Sequence, residues 1–168
     1  MPLIRLFLDI CLFKKGPQDV PASRFLFGLA LLAFAVVGLV LTGIGSDPYG
    51  ALLQVSVELA LLLVFAWVTL AGMKLHRRFL QTGTAMLATD GLISALAIPV
   101  LLWMSASGSD ASAPGYPVLL LLMFWHFAVV AHILRHALTC ALPVAIVMAI
   151  VYIGGSYQIM VMLFAPPA

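Results

Sequence analysis

A chain of 168 residues that is 64% hydrophobic, 8% charged and formally +2 at pH 7 lies far from a water-soluble domain, where about a quarter of residues carry charge. Runs of about 20 apolar residues, enough to span ~30 Å of hydrocarbon, use up most of its length and leave no room for a separate soluble domain. The Gly-rich phosphate loops, nucleophile elbows and zinc-ligand spacings of common enzyme classes are missing, and so small a net charge does not suit a nucleic-acid surface.

In chain order, Met1 to Phe13 is apolar but carries Arg5 and Asp9, four residues apart and therefore on one helical face. Leu3, Ile4, Phe7, Leu8, Cys11 and Leu12 cover much of the rest, which predicts an amphipathic helix lying in the membrane interface with its apolar side down. It stops at Lys14–Lys15–Gly16–Pro17. With no basic leader before it and no small-residue cleavage site after it, it does not read as a signal peptide. Pro17 and Pro21 predict a stiff linker that completes a cytoplasmic segment, 1–23.

Five spans then occupy 24–168. The first is expected over 25–44, with Ser23 as its N-cap. A tight turn leads to the second, 49–73, where Asp47 is a capping carboxylate directly before Pro48 at the first helical position. After Lys74–Leu75–His76–Arg77–Arg78 the third runs over 82–104, and a small-residue loop follows from Ser105 to Gly115. The fourth is expected over 116–134 and the fifth over 143–164, with Thr139 and Pro143 favouring a turn between them over one bent helix.

Basic residues set the orientation. Arg5, Lys14, Lys15 and Arg24 precede the first span, Lys74, Arg77 and Arg78 separate the second and third, and Arg135 closes the fourth. The loops on the other side hold Asp47 and Asp110 and no Lys or Arg. The positive-inside rule then places the N-terminus in the cytoplasm and Ala165 to Ala168 outside a bacterial-type inner membrane. The basic residues Arg5, Lys14, Lys15, Lys74, Arg77, Arg78 and Arg135 would face the cytoplasmic membrane surface. Cys11 and Cys140 fall on that same side, where thiols stay reduced, so no disulfide is expected.

Ionisable residues within spans are expensive in hydrocarbon, about 2.5–3.5 kcal/mol each on insertion scales, and demand a partner, a neutral state or water. Glu58, Asp90, His126 and His132 are the candidate functional positions, read first as interhelical hydrogen bonding and second as a proton or ion relay. Counted by helical rise, Glu58 is expected to meet His126 in the outer half of the bilayer, and Asp90 to meet His132 in the inner half. His132 and His136 share a face, whereas His126 is turned about 120° from His132, so the histidines do not form one ligand face for a metal. Haem would need histidines on facing helices, and all the intramembrane ones sit on the fourth span. No cofactor or metal is therefore expected.

The hydroxyls of the second and third spans, and the small residues from Thr84 to Gly91, read as close packing with hydroxyls bonded to their own backbone. Pro99 and Gly154–Gly155–Ser156 mark expected kinks or thin points. Trp67, Trp103, Tyr116 and Tyr49 lie near span ends as aromatic anchors, while Trp125 in mid-span reads as a packing residue.

Asp47–Pro48–Tyr49–Gly50 is similar to an Asp-Leu-Tyr-Gly-Pro motif, with Pro48 in place of the Leu and no following Pro, and Pro99 closes the third span. With the outline of a cytoplasmic amphipathic segment, five spans and a short external tail, the chain resembles the bacterial branch of the Yip (Ypt-interacting protein) domain family. The resemblance implies a non-enzymatic membrane protein that associates with other membrane components, and it assigns no residue a role.

The leading expectation is thus an all-α polytopic bundle without enzymatic activity, acting as an accessory or scaffold subunit whose partners are membrane lipid and other membrane proteins or further copies of itself. The rival expectation, from a different class, is a small oligomeric carrier in which Glu58, Asp90, His126 and His132 hand a proton or cation along the second, third and fourth spans.

Overall fold

The computed structural model describes residues 2–43, 47–107 and 115–164. Among them it forms six helices and no strand: α1 Pro2–Cys11, α2 Arg24–Gly43, α3 Pro48–Gly72, α4 Phe79–Ser107, α5 Gly115–Leu138 and α6 Leu142–Phe164. From α2 onward, all five are long and apolar enough to cross a bilayer. The protein is an all-α integral membrane bundle. The expected end of the first span at Ile44, the loop residue Asp110 and the tail 165–168 lie outside the described residues.

Local chemistry accounts for the helix ends. The Asp47 carboxylate accepts a hydrogen bond from the Gly50 amide at 2.9 Å and Pro48 opens α3, where a proline loses no hydrogen bond because that N–H would be unpaired in any case. Ser23 Oγ accepts from Leu26 N at 3.4 Å at the start of α2. The turns after α1, α3 and α5 pass through Phe13, Lys74 and Thr139, each with φ between 53° and 61°, the left-handed geometry that ends helices. Thr139 thereby separates α5 from α6. The third spanning helix begins three residues before and ends three residues after the expected 82–104, and Pro99 sits inside it without ending it.

The Lys74, Arg77, Arg78 and Arg135 side of the bundle, called here the basic end, is the tightly packed one. Leu62, Ala66 and Leu70 of α3, residues 82–87 of α4, Ile133 and Leu134 of α5, and Ala145 and Ala149 of α6 are all essentially inaccessible. Among the described residues of the other half only a few small or medium ones, such as Ala51 and Val55, are buried, and side chains such as Leu39, Leu96 and Leu102 are exposed. In lipid there is no water to expel, so helices associate by close contact and small residues let them approach. That is what α2 and α4 do: a Cβ on Gly83 would stand 3.0 Å from the Phe27 ring, and one on Gly91 would stand 3.6 Å from the Phe34 Cα. The hydroxyls of Thr69, Thr84 and Thr89 donate to carbonyls one turn back in their own helices, which satisfies them without a partner helix.

The N-terminal segment departs from the sequence expectation. The linker expected at Pro17 and Pro21 is packed onto the bundle: Pro17 and Val20 are buried, Asp19 accepts from the Gly16 amide at 2.8 Å, and Gln81 of α4 donates to the Val20 carbonyl at 2.9 Å. Nor does α1 turn its whole apolar surface outward. Leu6, Phe7, Ile10 and Cys11 are buried against α4 and α5, while Leu3, Ile4, Leu8 and Leu12 stay exposed. The helix has two apolar sides, one for the bundle and one left uncovered. Trp125 is more than a packing residue, since its indole N–H donates to the Cys11 carbonyl at 2.9 Å. A carbonyl at a helix C-terminus has no intrahelical partner, and Trp125 supplies one.

Candidate functional site

Three helices bring their ionisable residues to one level. Asp90 stands about 16 Å of helical rise from the start of α4, Glu58 about 15 Å from the start of α3, and His126 about 18 Å from the end of α5. Because α3 and α5 run against α4, these positions converge near mid-bundle. They line one cavity of about 320 Å³, to which α2 adds Phe34, Gly38, Leu41 and Thr42, α4 adds Gly91 and Ser94, and α6 adds Tyr152, Ile153 and Ser156. All five spanning helices contribute to it.

The carboxylate–imidazole pair at its floor differs from the expected pairing. His126 Nε2 lies 3.4 Å from Asp90 Oδ1, with both side chains about four-fifths buried, and Ser94 Oγ donates to the same oxygen at 3.4 Å. Glu58 lines the cavity with them and has no cation and no hydrogen-bond donor on its carboxylate among the described residues. His132 is not Asp90's partner. Its Nε2 lies 2.9 Å from the Lys15 carbonyl and must donate to it, since a carbonyl can only accept. The His132 ring also meets the His136 ring at 4.5 Å and the Phe13 ring at 5.3 Å. The reason is rotational: the six-residue step from His126 to His132 turns the helix by a net of about 240°, leaving the two about 120° apart, so one faces the cavity and the other the N-terminal segment. Estimates of depth alone did not contain that rotation relative to the neighbouring helices.

The cavity closes toward the basic end and extends toward the other. Below it lie the buried Leu62, Met86, Val130 and Ala149, and the Tyr152 ring stacks on Phe65 at a centroid distance of 4.9 Å. On its other side the lining residues Leu41 and Thr42 sit in the last turn of α2. Chemically, this is a polar pocket at mid-depth with a carboxylate–imidazole pair able to share a proton. Tyr152 and Phe34 also line it, and nothing in the sequence marked them, because α2 and α6 carry no charged residue within the membrane; Ser156, expected only as part of a kink or thin point, lines it too.

Among the described residues no three His, Cys, Asp or Glu side chains converge as a metal site requires. The basic residues gather elsewhere. Lys15 lies 3.8 Å from Asp9, and Arg78 donates to the Ala137 carbonyl at 3.0 Å, tying the α3–α4 connection to the end of α5. Arg5, Lys14, Lys74, Arg77 and Arg135 make no ion pair among the described residues. Comparison with known proteins finds no family model, no curated protein and no solved structure that matches the chain.

Proposed function

We propose that the protein handles a proton or small cation at the Asp90–His126 pair, as a small carrier embedded in a bacterial inner membrane. One observation carries the reading: two carboxylates and an imidazole line a single mid-bundle cavity to which every spanning helix contributes, and which is closed on one side. Ionisable groups at that depth are costly, and structural hydrogen bonding alone asks for neither a cavity nor the unpartnered Glu58. The positive-inside rule supports placing the basic end in the cytoplasm, so the cavity would face the periplasm and the C-terminus would lie there too.

The test is proton flux into proteoliposomes loaded with a pH-sensitive dye. Wild type should acidify the lumen under an inward proton gradient, and Asp90→Asn and His126→Gln should lose that flux while keeping normal yield and gel-filtration profile. Equal flux in wild type and Asp90→Asn sinks the carrier reading.

The accessory-subunit reading keeps one observation in its favour, the loosely packed half of the bundle away from the basic end, whose exposed apolar faces suit a membrane partner or a second copy. Extraction in mild detergent with a stoichiometric membrane protein attached would favour it. Kinship with the Yip domain family is part of that same proposal and rests on Asp47–Pro48–Tyr49–Gly50, Pro99 and the five-span outline alone.

A further inference from the structure

Resting on that reading of the cavity, we infer that its cargo is a protonated amine carrying a small apolar group, with Glu58 as its counter-charge. A cavity of about 320 Å³ is far larger than a proton or a bare metal ion needs and falls at the lower end of the range for small organic ligands, about 300–1,000 Å³. Its polar groups are unequally employed. Asp90 already has His126 and Ser94, whereas the Glu58 carboxylate faces the same space with no cation among the described residues. Tyr152 is nine-tenths buried, lines the cavity, and its hydroxyl makes no hydrogen bond among the described residues. Polar groups that open on a cavity without a protein partner are the kind that fix the orientation of a ligand. The Glu58 carboxylate only accepts hydrogen bonds, so the group that satisfies it is a donor with positive charge, and the Tyr152 hydroxyl can accept from the same group. The Phe34 and Tyr152 rings complete an aromatic wall of the kind that attracts ammonium groups, and the apolar lining suits a short hydrocarbon portion. An anion would meet two carboxylates and no arginine or lysine there.

The experiment is equilibrium dialysis of the purified full-length protein in detergent against radiolabelled phenethylamine, with proton flux measured in proteoliposomes from the same preparation. Saturable binding is expected in wild type, weakened at least tenfold by Glu58→Gln and severalfold by Tyr152→Phe, with tetraethylammonium, which has no N–H, competing poorly. Gel filtration and thermal unfolding establish that the variants are folded. Binding that Glu58→Gln leaves unchanged overturns the inference, as does the absence of a saturable component. If flux depends on Asp90 while no amine binds, the cargo is wrong and the carrier reading stands; if flux is absent as well, both fall.

Discussion

The docking of α1 against the bundle is open to a sharp test because the chain carries its own pair of probes. Cys11 is 1% exposed at the α1–α5 contact, whereas Cys140 is only partly buried, in the turn between α5 and α6. Burial pushes the Cys11 thiol up from 9.0 to about 11, because the thiolate is the form that loses hydration. Two pH units lower the reactive thiolate fraction about a hundredfold. In wild type at pH 7.5 a soluble maleimide should therefore modify Cys140 and leave Cys11 nearly untouched.

Trp125→Phe keeps the ring and removes the N–H that the Cys11 carbonyl accepts. Leaving that carbonyl unsatisfied costs about 1–3 kcal/mol, so the undocked population, and with it Cys11 labelling, should rise by about 5- to 150-fold while Cys140 labelling stays constant. The sign of the pH dependence follows from the same shift. The raised thiol holds its proton more tightly when docked, so that contribution to docking is fully present below pH 9 and is lost as the pH climbs through 11. If Cys11 labels as fast as Cys140 in wild type, or at the same rate with and without the indole, the docked α1 is refuted.

Other expectations concern the bundle itself. Gly91→Ala should be nearly neutral, since its Cβ would stand in ordinary contact with the Phe34 backbone; Gly91→Leu should drive α2 from α4 and lower stability by about 1–3 kcal/mol in a detergent unfolding series. Leu62→Ala, at a fully buried position, should cost about 1–3 kcal/mol. That is less than the ~2–5 of a water-soluble core, because in lipid the unpacked leucine is still in hydrocarbon and only packing is lost; steric trapping in bicelles would measure it. An alkaline phosphatase fusion after Phe164 should be active and a green fluorescent protein fusion there dark if the basic end is cytoplasmic, and the reverse pattern would invert the orientation.

How much of this was legible in the sequence varies with the kind of force involved. The five spans and the Asp47 cap were readable because length, hydropathy and capping are local properties. That Glu58, Asp90 and His126 stand inside the spans was readable because charge in hydrocarbon is conspicuous. Their pairing was not: whether His126 or His132 faces Asp90 depends on how α5 is rotated against α4, and an almost uniformly apolar helix gives no amphipathic stripe from which to read that rotation. The docked N-terminal segment escaped notice for a related reason. Trp125, His132 and Gln81 hold it through the backbone carbonyls of Cys11, Lys15 and Val20, and a carbonyl acceptor leaves no trace in the identity of its residue.

The most direct measurement is the infrared difference spectrum of the protein in nanodiscs between high and low pH, recorded for wild type and for Asp90→Asn. A protonating carboxylic acid band that is present in wild type and missing from Asp90→Asn is the expected result, for it means that the pair at mid-bundle exchanges protons with the aqueous phase. Identical spectra for the two proteins would mean that Asp90 is fixed in one state, and the carrier reading would then be contradicted at its centre.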